Sequence, residues 1–512
     1  MTMKKKIKTA GALTLAAITV LSAAGLSSVY GALGVETDEK CSLTFTLDDT
    51  EFDELRSLEI PVDVYKVADI TEEAVYDTAK YTDFDDLGLE KVSSTTTAEE
   101  WAQMAEDAMK IVEDKKIAPT VDVKVTKPAG AAESTGVINN LETGMYLVQA
   151  ETVQTSEYTY DFTPYLVSLP NNYYSKKNPD DTWVYDVTTG MKPQQTQRYG
   201  DLEIVKDLTE YNASLKDALF VFQVEGTRNG EQVYSDVVSI KFNQAGKKSV
   251  LVKHLPAGTK VTVKEVYAGG SYSNTSGDTQ ETVIVAEGVT DNPASVSFTN
   301  TYNGKLIPGT GIVNHFENKD GEWSWEQQTD EPRHCQLGKG VQDMRKLSKK
   351  SLCLAAAALT LTAGISAGTA MAYFTTYAEA SGNVTLNMGF TETTPTEEFS
   401  NWTKHVTVKN TGDFACFVRV KALAGEKYQD GLQYSDSDGK WTPGEEGYYY
   451  YSEPVAPGES SSVLDIKIDS KDTEDSFNVV VVQESTKVLY NEKNEPYADW
   501  TQIADTSETA GE

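Results

Sequence analysis

Three polar residues set into apolar strand patterns carry the chemistry open to this chain. Lys206 falls in phase with Leu202, Ile204 and Leu208; Glu265 with Val261, Val263 and Tyr267; Asn300 with Val296, Phe298 and Tyr302. A period of two puts alternate side chains on one sheet face, so each apolar face has one polar intruder. A buried charge shifts its pKa or finds a partner, which makes each intruder expensive singly. Together an amine, a carboxyl and a carboxamide in one dry core are a reagent set. Desolvation lowers an amine's pKa and so frees a neutral nucleophile; it raises a carboxyl's, which can then protonate an amide and carry protons as ammonia leaves. The product expected is an isopeptide bond from Lys206 to Asn300, with Glu265 as the catalytic group of its own formation. The competing reading has three edge-strand side chains in water, because short strands slip register readily.

The elements that must position these residues are strands of a β-rich module over 200–304, one of several β-rich units. Before it, 35–195 reads as a β domain with strands over 60–70, 144–148, 165–167 and 183–187, and a helix over 97–115. Thr96 and Glu99 form a capping box for that helix, and Trp101, Ala105, Ala108, Ile111 and Val112 recur at helical spacing. Lys66 lies in phase with Val62 and Val64; Asp186 is one partner for it, and a solvent-facing position is the other reading. After the module, 305–343 is a linker with a polar hairpin turning at Lys319-Asp320-Gly321, with Trp323 and Trp325 on one face. The last unit, 373–505, has strands over 406–412 and 414–420 joined by an Asn-Thr-Gly-Asp turn. Four consecutive valines within 477–483 suggest a strand buried on both faces, and an acidic tail over 506–512 ends the chain. The fold class expected is mainly β, a series of sandwiches ending in a jelly-roll-like one.

Two stretches address the chain for export. Lys4, Lys5, Lys6 and Lys8 precede an apolar run over 10–26, and Val29 and Gly31 are small enough for a signal peptidase to cut after Gly31, giving a 1–31 signal peptide. The same pattern recurs inside the chain over 344–372. Arg345, Lys346, Lys349 and Lys350 lead an uncharged run, and Ala370 and Ala372 stand where the peptidase reads before Tyr373. A run of about 20 uncharged residues also spans a bilayer, so 351–372 is either a second leader or a membrane anchor. The flanking basic residues normally stay cytoplasmic, which favours the leader.

Composition narrows the function. A net charge of −33 over 512 residues repels phosphate backbones, so nucleic acid is no partner. Cys41, Cys335, Cys353 and Cys416 fall in different segments, which leaves no disulfide within a domain. His254, His315, His334 and His405 are far apart in the sequence, and no nucleophile elbow or metal-ligand spacing occurs; no enzyme, cofactor or metal site is expected.

The residues also carry resemblances. Tyr65-Lys66-Val67, Leu169-Pro170, Trp183 and Tyr185-Asp186-Val187 resemble the N-terminal domain of Gram-positive pilin subunits. Ile204-Val205-Lys206-Asp207, Val263-Lys264-Glu265 and Phe298-Thr299-Asn300-Thr301-Tyr302 resemble the collagen-adhesin B-type modules of pilins and adhesins, which implies immunoglobulin-like sandwiches and gives the three polar residues the bond-forming roles above. Ile307-Pro308-Gly309-Thr310-Gly311 is similar to a sortase sorting sequence, whose use would cut between Thr310 and Gly311; a Pro-Gly linker is the other reading. Ala372-Tyr373-Phe374-Thr375 and Phe417-Val418-Arg419-Val420 resemble the TasA and camelysin family of secreted biofilm-fibre proteins. These likenesses imply an extracellular, cell-surface structural protein: a pilin or fimbrial subunit joined to a biofilm-matrix subunit. Its partners would be signal peptidase, sortase, other fibre subunits, and cell wall or biofilm matrix. The alternative is an adhesin that binds host or microbial glycan or protein.

Overall fold

The computed structural model describes residues 34–47, 52–93, 95–131, 133–172, 183–319, 322–328, 393–469 and 475–501. The stretches expected to be leaders, 1–31 and 344–372, with the expected cleavage positions Gly31 and Ala372, and the acidic tail lie outside the described residues. The chain forms two compact units, Met1–Arg198 and Tyr199–Glu512, and its described residues are mainly β.

In the first unit the strand Ile60–Ile70 runs beside Gly144–Ala150, which in turn pairs with Tyr165–Leu169. This sheet is apolar on both faces. One face meets a small sheet in which Cys41–Leu47 lies between Asp186–Met191 and Ser134–Leu141, burying Leu43, Phe45, Val62, Val64 and Tyr146. The other is covered by the helix Ala98–Lys115 through Trp101, Ala105, Ala108 and Val112. The helix is the expected one, but its capping box is Thr97 with Glu100, one residue later than the sequence suggested. Two adjacent threonines and two adjacent glutamates allow either register, and the Thr96 hydroxyl is taken by the Ser93 N–H at 2.9 Å.

In the second unit, Tyr199–Leu208 lies between Gly246–Pro256 and Ala294–Tyr302, parallel to the latter. Facing this sheet, Ala218–Arg228 lies between Glu231–Phe242 and Lys260–Tyr267. The two four-stranded sheets make a sandwich around Leu202, Ile204, Phe220, Phe222, Val261, Val263 and Phe298.

A second pair of sheets follows. The polar hairpin is present as Gly309–Lys319 and Glu322–Gln328, and its first strand is hydrogen-bonded along Phe477–Tyr490. That long strand has Cys416–Ala424 on its other side. Val479 and Val481 point into this sheet's own core, whereas Val480 and Val482 pack on Leu219, Val221, Val237 and Tyr267 of the preceding sandwich. Burial on both sides is why the run has no polar alternation. The strands near the Asn-Thr-Gly turn, Thr403–Asn410 and Cys416–Ala424, lie in different sheets instead of forming the expected hairpin. Asn410, fully buried, holds the crossing: its Nδ2 donates to the Phe414 and Val455 carbonyls, and its Oδ1 accepts from the Gly412 N–H.

Candidate functional site

Alternation delivers Lys206, Glu265 and Asn300 into the core of the 199–304 sandwich, but Tyr267, expected in phase with Glu265, packs instead with Val221, Val480 and Val482 outside that core. Lys206 and Asn300 are fully buried, and Glu265 is 7 % exposed. Lys206 and Asn300 come from neighbouring parallel strands, where Lys206 is opposite Phe298 and Asn300 opposite Leu208. Glu265 comes from the facing sheet, at a register irregularity between Val221 and Phe222 of its neighbouring strand. The Lys206 Nζ donates to Glu265 Oε1 and to the carboxamide oxygen of Asn300.

The surroundings are dry and aromatic. The Nζ stands 4.5 Å from the Phe220 ring centre and 5.7 Å from that of Phe222, and Phe222 packs on Phe298 at 5.1 Å. Burial pushes the Lys206 ammonium below the usual lysine range, against the pull of the Glu265 carboxylate. Glu265 Oε2 is held by Asn274 Nδ2 at 2.7 Å, a positioning contact that strand phase alone did not reveal because Asn274 lies on the short strand Tyr272–Asn274. Asn300 Nδ2 is buried without a partner. An orphaned buried donor is destabilising, and it is the atom that leaves in the expected reaction. Asn303 is engaged elsewhere, donating to the Gly270 carbonyl and accepting from the Lys305 N–H.

Thr310 and Gly311 lie within the strand Gly309–Lys319, opposite Gln483 and Val482. A Cβ on Gly311 would stand 2.8 Å from both Leu219 Cδ2 and the Val481 carbonyl oxygen, so glycine there permits close approach of two sheets.

Lys66 of the first unit is buried, not solvent-facing. Its Nζ is 2.7 Å from Asp69 and 3.2 Å from Glu142, while Asp186 accepts from Ser42 at 2.6 Å instead. Burial lowers the Lys66 pKa, but hydrogen bonding to Asp69 and Glu142 and the nearby Tyr81 outweigh it, and the ammonium titrates above the usual range. A polar cleft of about 570 Å³ opens beside it, lined also by Lys40, Lys80 and Thr143.

No spacing pattern links Ser400, His405 and Asp465, yet Ser400 Oγ is 2.8 Å from His405 Nε2 and His405 Nδ1 is 2.6 Å from Asp465. His405 and Asp465 are direct cross-strand neighbours, each about one-third exposed, which is ordinary pairing on a sheet surface. Among the described residues no three His, Cys, Asp or Glu side chains gather as a metal site, and no helix is long and apolar enough to cross a membrane.

Residues 202–303 match a family described as a domain of unknown function (DUF5979), and this stretch encloses all three site residues. No curated protein matches the chain. Among solved structures, a streptococcal ancillary pilin is 13 % identical, over 56 % of this chain and 80 % of its own, with a TM-score of 0.19. The minor pilin GBS52 of Streptococcus agalactiae is 13 % identical, over 52 % of this chain and 97 % of its own, with a TM-score of 0.17. The TIE protein of Bacillus anthracis is 14 % identical, over 57 % of this chain and 42 % of its own, with a TM-score of 0.23.

Proposed function

We propose that the chain is a secreted cell-surface structural subunit of the pilin or fimbrial kind, hardened by a Lys206–Asn300 isopeptide bond and joined to a biofilm-matrix-type domain. The observation that carries the reading is the buried Lys206 amine held between Glu265 and an Asn300 carboxamide whose nitrogen has no partner. In the reaction the neutral Nζ attacks Asn300 Cγ, the Nζ–Cγ bond forms and the Cγ–Nδ2 bond breaks. Glu265 takes the amine's proton and delivers it to the leaving nitrogen, which departs as ammonia. No outside reagent is needed.

A bond between the first and last strands of a sandwich suits a load-bearing subunit, because a pull on its ends meets a covalent link before the sheets can unzip. On this reading the leaders ending at Gly31 and Ala372 are cut by signal peptidase during export. Sortase joining at Thr310 would have to act before Gly309–Lys319 docks on Phe477–Tyr490, since docked Thr310 is part of a ladder. The test is peptide mapping of the exported chain: a branched peptide joining Lys206 to Asn300, lighter by one ammonia, is expected. Recovery of both residues only in linear peptides would overturn the bond.

A further inference from the structure

A second buried lysine, far along the chain, sits among groups of the same three kinds. Lys404 is fully buried, and its Nζ is 2.5 Å from Oε1 of Glu397, whose side chain is 2 % exposed. The same Oε1 accepts a hydrogen bond from Nδ2 of Asn314, itself buried. Alternation again explains the placement. Lys404 shares a buried face with Val406 and Val408, and Asn314 shares one with Ile312 and Phe316. Glu397 stands opposite Val406 on the adjoining strand Thr393–Ser400. The Phe316 ring centre lies 5.9 Å from the amine.

Two atoms of the cluster, Asn314 Oδ1 and Glu397 Oε2, are buried without partners. Unreacted, the three side chains therefore leave an acceptor and a carboxyl oxygen unsatisfied, which is destabilising in a dry core. Burial also holds the Lys404 amine below the usual lysine range, with the Glu397 charge pulling the other way.

We propose that Lys404 and Asn314 condense into a second isopeptide bond, with Glu397 as the proton carrier. The Lys404 Nζ–Asn314 Cγ bond forms and the Cγ–Nδ2 bond breaks. Glu397 moves the amine's proton to the leaving nitrogen, ammonia departs, and no oxidant or other co-reactant is consumed. The product satisfies both orphans: the new amide's oxygen accepts from Glu397 protonated on Oε2, and its N–H donates to Oε1.

This site is no copy of the first. There the lysine and asparagine share a sheet and the carboxyl faces them; here Lys404 and Glu397 share a sheet and Asn314 comes from the other, so the bond joins two sheets. It also spans the internal leader, because Asn314 precedes Ala372 and Lys404 follows it. A cut after Ala372 made once the bond exists leaves the two parts covalently linked.

The test is peptide mapping of the full-length chain, which needs no variant to fold. A branched peptide joining Asn314 to Lys404, lighter by one ammonia, is expected, as is loss of that branch in Glu397→Gln and Lys404→Met. In addition, protease nicking within 329–392 should leave a single species on a denaturing gel. Linear peptides at full mass for both residues, or separation of the nicked halves under denaturing conditions, would overturn the proposal. The Lys206–Asn300 branch is read in the same digest, so each bond stands or falls by its own peptide.

Discussion

Lys206→Met should unstaple the 199–304 sandwich while leaving its packing nearly intact. The substitution removes the nucleophile but keeps an unbranched side chain of similar length among Phe220, Phe222 and Phe298. What is lost is a link between positions 94 residues apart. By the loop-entropy relation for cross-links, closing a loop of that size restricts the unfolded chain by about 4–5 kcal/mol. For a cooperative unit of a few hundred residues that corresponds to a melting temperature lower by about 10–20 °C. Glu265→Gln also prevents the bond but retains the buried amine without its carboxylate, so it should be the less stable of the two variants. Denaturant unfolding with an intact-mass check on each sample measures both effects. A Lys206→Met protein within about 1 kcal/mol of the wild type, beside a wild type already confirmed as bonded, would refute the loop argument.

Asp236, fully buried where the sandwich meets Asn478, has its carboxyl pushed from 3.8 to about 7 by burial, against hydrogen bonds from the Asn478 and Val237 N–H groups. Because the folded pKa is raised, its contribution to stability is full below about pH 4 and is lost as pH rises through about 7; Asp236→Asn should flatten that part of the stability–pH profile, as urea unfolding at pH 5 and pH 8 would show. Arg419 is bound to Glu484 at 2.5 and 2.8 Å and lies between the rings of Tyr448 and Trp500 at 4.1 and 4.3 Å. Glu484→Gln leaves that guanidinium without its counter-charge and should cost about 3–5 kcal/mol in denaturant unfolding. Cys41 and Cys416 are free and buried, with thiols pushed up to about 12 mainly by burial. Both should resist alkylation at pH 8 in the native protein and label on unfolding, as read by peptide mass.

Strand phase made the first site legible because Lys206 and Asn300 continue alternations with hydrophobic neighbours and Glu265 follows Val261 and Val263 in phase, although the register shift beyond it sends Tyr267 to the neighbouring core. The second cluster used the same signal, yet Asn314 sat in a stretch read as a polar hairpin, and Lys404 borders Asn401, Trp402 and Thr403, where the alternation begins only at the lysine. Its assembly also needs Gly309–Lys319 to pair with Phe477–Tyr490, a contact between segments so distant that local pattern says nothing about it. The four valines correctly announced a strand covered on both faces, but could not show that one cover is the preceding sandwich. The burial of Lys66 has a related reason: Asp69, three positions on and out of phase in a regular strand, reaches it where the strand's register shifts between Lys66 and Ala68, and Glu142, 76 positions away, is brought to it only by the fold.

The most direct measurement is a fragmentation mass spectrum of the branched peptide from the exported wild-type chain. The expected result is Lys206 Nζ joined to Asn300 Cγ with one ammonia lost, and loss of that branch in Glu265→Gln. Wild-type Lys206 and Asn300 recovered solely in linear peptides of full sequence mass would contradict it.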